Sequence, residues 1–265
     1  MIPLSVANIK KSIVDRVLRE ANVKKWLAKS RPRLKPDHIA KRLRWATTYR
    51  DWTVEDFERV IWSDECSVEK SKDPRQHWVF REPSEKWLAD CIHPKEKDKG
   101  ISLMVWGCFW GKRKGPLVPI TQNINKTRYI RLLRRYLFPV IDQMISFGMQ
   151  LEDILFQQDN APVHKAYNVM DWLERHSIEV VDHPPYSPDL NPIEYVWVEL
   201  KKRLHQQYPR IADTPGGKET VKKRLAQVLP LVWETIPEEF FEKLWKSMPD
   251  RVAAVLEARG GYTRY

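Results

Sequence analysis

Apolar residues recur along the chain in two rhythms, and the switch between them divides it. Near the start, Val6, Ile9, Ile13, Val17 and Leu18 return at helical spacing behind Ser5, a favourable N-cap. Pro32 and Pro36 then interrupt the run from Ser30 to Pro36, which predicts an extended linker. A helix over about Asp37 to Tyr49 and a short one opening at Thr53 follow. From Arg59 to Val68 the pattern becomes that of a strand. Ile101 to Trp110 is a β-branched and aromatic run, Gly111 to Gly115 a turn, and Pro116 to Ile120 its hairpin partner. Lys126 to Phe147 predicts one long helix, with Ile130, Leu133, Leu137, Ile141 and Ile145 on one face. Ile154 to Gln158 reads as a strand, Tyr167 to His176 as a helix, Ile178 to Val181 as a strand and Pro192 to His205 as a helix. Helices over about Lys218 to Thr235, Glu238 to Lys246 and Asp250 to Ala258 close the chain, with Gly260 as a C-terminal stop.

This order is three antiparallel strands and a helix, then strand, helix, strand, helix. Right-handed crossovers place the two later strands parallel to the first. The expected fold class is therefore α/β: a ribonuclease H-like domain, with a mixed five-stranded sheet flanked by helices, behind a short helical basic extension. The expected division is residues 1–50 for the extension and 51–265 for the α/β domain. A charged stretch, Glu69 to Gly100, reads as an insertion carrying a short candidate strand at Gln76 to Phe80.

Charge narrows the partner. Lys and Arg number 46 against 35 acids, for a net +11. That balance favours a polyanion, nucleic acid above all, over a membrane surface. No run approaches the ~18 apolar residues of a membrane span, and no signal-peptide segment follows Met1. The basic residues are densest from Lys24 to Arg50, ten in 27 positions. Cys66, Cys91 and Cys108 are too widely spaced for a zinc set or a disulfide framework, which suits an intracellular protein. Of the tryptophans, Trp62, Trp106, Trp110, Trp172 and Trp197 sit in apolar patterns and are expected in the core. Trp26 and Trp45 lie in basic surroundings, where base stacking is the alternative.

Three acids end core elements. Asp64 closes Val60-Ile61-Trp62-Ser63, Asp159 closes Ile154 to Gln158, and Glu194 falls in the first turn after Asn191-Pro192. Each has an ordinary reading: Asp64 or its neighbour Glu65 as a strand-end acid, Asp159 as a turn former, Glu194 as a capping residue. In the predicted sheet, however, Asp64 and Asp159 can face one another if their strands are neighbours, and Glu194 can point back at the same place. Two like charges ~4 Å apart repel by about 4 kcal/mol at an effective dielectric of ~20. A divalent cation reverses that sign, and oxygen donors suit Mg²⁺. A pair of such ions serves phosphodiester chemistry.

These segments carry a resemblance. Trp62-Ser63-Asp64-Glu65, Gln158-Asp159-Asn160-Ala161-Pro162-Val163-His164 and Pro184-Pro185-Tyr186-Ser187-Pro188-Asp189-Leu190-Asn191-Pro192-Ile193-Glu194, running on to Trp197, resemble the motifs of mariner-type DDE transposases whose third acid is Glu. The 34 residues between Asp159 and Glu194 match that branch's interval, and the likeness runs from about residue 5 to Gly260-Gly261-Tyr262.

The resemblance implies a DNA transposase that cleaves transposon ends and joins the freed 3′-hydroxyl to target DNA, at a TA site. It implies Asp64, Asp159 and Glu194 as catalytic metal ligands for two Mg²⁺ ions, with Mn²⁺ able to substitute. It implies terminal inverted repeats and target DNA as partners, a homodimer, no membrane, and a nuclear location. Family members begin with two helix-turn-helix units, so residues 1–50 are expected to be an N-terminally truncated remnant: the recognition helix of the second unit plus a basic linker. DNA contacts are expected from Lys10, Lys11, Arg16, Lys24, Lys25, Arg31, Arg33 and Lys35, with Arg31-Pro32-Arg33 suited to a minor groove. His164 matches the motif as a residue near DNA or one that packs at a helix start. The Glu69 to Gly100 insertion is expected either to clasp a partner subunit, as in some relatives, or to be a charged loop. The alternative function is a catalytically idle or domesticated DNA-binding protein derived from such a transposase.

Overall fold

The computed structural model describes Arg16 and Glu20, both helical, and residues 33–70 and 101–265. The chain forms two compact units, Met1–Arg33 and Leu34–Tyr265. The expected contacts Lys10, Lys11, Lys24, Lys25 and Arg31, together with Trp26 and the candidate strand at Gln76 to Phe80, lie outside the described residues.

The second unit is built on one sheet. Its strands are β1 (Val60–Lys70), β2 (Ile101–Trp110), β3 (Arg113–Ile120), β4 (Leu155–Gln157) and β5 (Glu179–Val180), in spatial order β3-β2-β1-β4-β5. β1 pairs antiparallel with β2 and parallel with β4, and β4 pairs parallel with β5. The predicted mixed sheet is thus the observed one. β3 starts three residues earlier than the Pro116 expected, because the turn tightens to Gly111 at φ +47°, a left-handed conformation suited to glycine.

Alternation along β1 sends side chains to two cores. Val60, Trp62, Cys66 and Val68 face one, together with α6 (Ile193–Gln207), α7 (Gly217–Glu234), α8 (Glu238–Lys246) and α9 (Met248–Glu257). Ile61 faces the other, with α3 (Lys126–Leu132), α4 (Phe138–Ser146) and α5 (Tyr167–Arg175). The predicted single helix Lys126 to Phe147 is interrupted by a π-helical turn, Leu133–Leu137. Pro139 follows it. Proline offers no N–H, and its ring crowds the carbonyl four residues back, here that of Arg135, so the helix widens at this point.

Before the sheet come α1 (Pro36–Thr48) and α2 (Val54–Glu58). α1 packs against the rest of the second unit through a buried guanidinium. Arg42 clasps Asp189 with both terminal nitrogens, at 2.7 and 2.6 Å, and its Nε donates to the Gly260 carbonyl. Trp45 is only 4% exposed and lies 4.8 Å from the Tyr49 ring. It is a core residue, and the base-stacking alternative does not hold, because the side chain is almost wholly buried. Trp62, Trp106, Trp110, Trp172 and Trp197 are buried as expected. Among the described residues no helix is long and apolar enough to cross a membrane.

Candidate active site

Trp62 pairs with Gln157 across the parallel β1–β4 ladder, so the two strands end side by side. Asp64 stands two residues beyond Trp62, and Asp159 two beyond Gln157. Ser63 locks this junction: its hydroxyl donates to the Gln157 carbonyl at 2.7 Å. The Asn191 amide donates to the Ser63 carbonyl at 3.3 Å, which brings the start of α6 to the same place. Asp64, Asp159 and Glu194 accordingly line one cavity of about 430 Å³, walled by Asn160, His183 and the Pro184 to Pro188 segment. The capping reading of Glu194 fails, because no side chain caps α6 and the carboxyl faces the cavity instead.

Each acid is held differently. Asp64 shares its face of β1 with Trp62 and Cys66. The Trp197 indole N–H donates to its Oδ2 at 3.2 Å, and the Glu65 backbone N–H to its Oδ1 at 2.8 Å. Trp197 fits because the residue opposite Asp64 on β2 is Gly107, where a Cβ would lie 2.8 Å from the Trp197 ring. Burial, then the charges of Glu194 and Glu65, push the Asp64 carboxyl up to about 8. Glu194 is also raised, chiefly by burial; Lys201 opposes the rise and Asp159 adds to it.

Asp159 moves the other way. Its Oδ1 accepts from the Ala161 N–H at 2.9 Å, the turn geometry expected of it, and lies 2.6 Å from His164 Nδ1. The bond to His164 holds its carboxyl below the usual value, against burial. His164 is 4% exposed, stacked 4.2 Å from the Tyr129 ring, with Glu65 3.3 Å from its Nε2. Burial alone would discharge the imidazole, yet Asp159 and Glu65 raise it to about 9, so it is a cation at neutral pH. His164 is therefore turned inward as the support of Asp159, with no surface to present to a phosphate. Glu65, the rival of Asp64 in the sequence, points to the opposite face and serves His164. Arg16, Arg33 and Lys35 are exposed.

The loop before Glu194 is stiffened by Pro184, Pro185, Pro188 and Pro192. Besides Arg42, Asp189 accepts from Thr263 through Oδ2, and its carbonyl accepts from Arg251, both within 2.7 Å. Tyr186, at φ +55°, packs tilted against the His38 ring with centroids 4.5 Å apart. Sequence reasoning missed this clamp, although Asp189 lay inside a quoted motif.

Known proteins resemble this chain in sequence and fold. A family model described as "DDE superfamily endonuclease" matches residues 59–214, and a Tc3-type helix-turn-helix model described as "Transposase" matches residues 6–51. The chain belongs to the mariner-type DDE transposases. The Tc1 transposase of Caenorhabditis elegans is 31% identical over 255 residues, covering 96% of this chain and 88% of that one. The Tc3 transposase of the same organism is 26% identical over 269 residues, covering 99% and 74%. A pre-cleavage Mos1 transpososome superposes on the transposase with a TM-score of 0.76 at 20% identity, over 97% of this chain and 72% of that one. The isolated Mos1 catalytic domain gives 0.59 at 19% identity, over 89% and 100%, and the fold is ribonuclease H-like.

The donor set suits a hard divalent cation. Carboxylate oxygens crowd one cavity, and the raised Asp64 and Glu194 values express burial first and the neighbouring negative charges after it, both of which a cation offsets. Among the described residues no three ligand-type side chains form a ready-made cage. Mg²⁺ does not need one, since water and substrate phosphate complete its shell.

Proposed function

We propose that Asp64, Asp159 and Glu194 together hold two divalent cations, Mg²⁺ with Mn²⁺ as substitute, and that the transposase uses them to cut transposon ends and join them to target DNA at TA. The observation that carries this reading is the meeting of three carboxylates, from β1, the end of β4 and the start of α6, around one cavity. When bound, the cations neutralise the phosphodiester and make an attacking hydroxyl more acidic. The protein's own residues orient the donors. Trp197 fixes Asp64, protonated His164 fixes Asp159, and the Asn191 link to Ser63 fixes the helix start that carries Glu194.

The partners fit the same reading: the inverted repeats of an element, a target duplex, and a second copy of the chain on paired ends, in the nucleus. Solved Mos1 relatives are described as paired-end complexes, one with Mn and one with Mg. The test is strand nicking and strand transfer by the purified chain in Mg²⁺ or Mn²⁺, beside Asp159→Asn. Activity that needs the ion and vanishes in the variant supports the reading. Equal activity in both proteins sinks it. DNA binding with no turnover in either favours the idle, DNA-binding alternative.

A further inference from the structure

A second cavity, of about 380 Å³, adjoins the first. The two share the wall Asn160, His183, Pro184 and Pro185. Their linings have opposite character. The first is lined by the three carboxylates, the second by Lys41, Arg44 and Thr48. These residues recur at three- and four-residue steps, so they share one face of α1. All three are exposed, and among the described residues neither cation has a carboxylate partner. Asp182 is the one acid in this lining, against two cations.

The wall is polar where it is buried. Trp45 and His183, 4% and 7% exposed, both line the second cavity. Among the described residues, neither Trp45 Nε1 nor His183 Nδ1 has a hydrogen-bond partner.

We propose that this second cavity seats the sugar-phosphate backbone of the DNA strand next to the scissile phosphodiester, with Lys41 and Arg44 as positioning residues. The inference rests on the nucleic-acid substrate proposed above and adds the strand's path. A strand enters the acid-lined cavity with a negative charge on every neighbouring nucleotide. Cations on the far side of a shared wall offset that charge and fix which phosphate lies over the carboxylates. Arg42, between them in sequence but on the buried side of the helix, ties α1 to Asp189 in the loop before Glu194.

The test measures binding of a labelled DNA duplex of mixed sequence across salt concentrations, in chelator, alongside Mg²⁺-dependent cleavage. Removing one cation that neutralises a phosphate lowers the log–log salt slope by about 1. Lys41→Ala and Arg44→Ala are each expected to do so, and the double variant to raise KM for DNA more than it lowers kcat. Lys243→Ala, an exposed cation on α8, is expected to leave the slope unchanged. Lys41→Arg and Arg44→Lys, which keep the charge, are expected to restore it, separating a missing phosphate partner from a folding defect. If the double variant keeps the wild-type slope and KM while Asp159→Asn abolishes cleavage, the chemistry stands and this seat is overturned. If the wild type does not cleave, the function proposed above fails, and the salt slope still decides the seat.

Discussion

His164 Nδ1 lies 2.6 Å from Asp159 Oδ1, so a buried imidazolium holds one of the three acids that line the cavity. The ring is fixed from both sides, by Tyr129 stacked on its face and by Glu65 beside Nε2.

Removing that support leaves Asp159 in place but free to turn. His164→Ala is expected to lower Mg²⁺ affinity or cleavage by ~10–100-fold, the usual cost of losing a group that orients a ligand. The half-saturating Mg²⁺ concentration in a nicking assay checks it. An unchanged Mg²⁺ dependence in a folded variant contradicts the assigned role.

Asp64 makes stability depend on pH when no metal is present. Its folded value is raised from 3.8 to about 8. The folded state therefore binds the proton more tightly than the unfolded state. The contribution to stability is fully present below the free-carboxyl value and is lost as pH rises through about 8. Asp64→Asn removes the ionisation and is expected to stabilise the metal-free protein by about 1–3 kcal/mol at neutral pH, the scale of a buried polar group left uncompensated. Urea unfolding in chelator at pH 5 and pH 8 checks it. A larger gain for the variant at the lower pH contradicts the sign.

The Arg42–Asp189 pair is almost wholly buried, with side chains 2% and 6% exposed. Burial would raise the Asp189 carboxyl, but the paired guanidinium brings it below the ordinary value. Breaking such a pair leaves one charge without compensation, so Arg42→Met or Asp189→Leu alone is expected to cost about 3–5 kcal/mol. The double variant is expected to cost less than the sum of the two. Denaturant melts of the four proteins give the coupling directly, and strict additivity contradicts it.

Trp197 joins the α6 face to Asp64 through one hydrogen bond. Trp197→Phe keeps most of the packing and removes the donor. Stability is expected to fall by about 1 kcal/mol, while cleavage falls further because Asp64 loses its orientation. Gly107→Ala is expected to act on the same junction, since its Cβ would meet the Trp197 ring at 2.8 Å. Comparing kcat with unfolding free energy for both variants separates orientation from packing.

The apolar runs of β1 and β2, bounded by polar or turn residues, carry the sheet and both of its cores, which is why these parts could be read from the chain. Asp64, Asp159 and Glu194 could be read as well, because each ends an apolar run or opens a helix. Partners that meet across long separations could not. Trp197 meets Asp64 from 133 positions away, and Arg42 meets Asp189 from 147. No local pattern marks either. His164 was visible as a motif residue, but its direction depends on Tyr129 and Glu65 arriving from other elements. The π-turn before Pro139 was obscured because the apolar face continues unbroken through it.

The proposal that Asp64, Asp159 and Glu194 together hold a divalent ion is tested most directly by Mn²⁺ titration, read from the paramagnetic resonance of the free ion. The wild-type protein is expected to deplete the free signal, and Asp159→Asn and Glu194→Gln, each folded by circular dichroism, to leave most of it. Wild-type depletion retained by both variants contradicts a metal site built from these carboxylates.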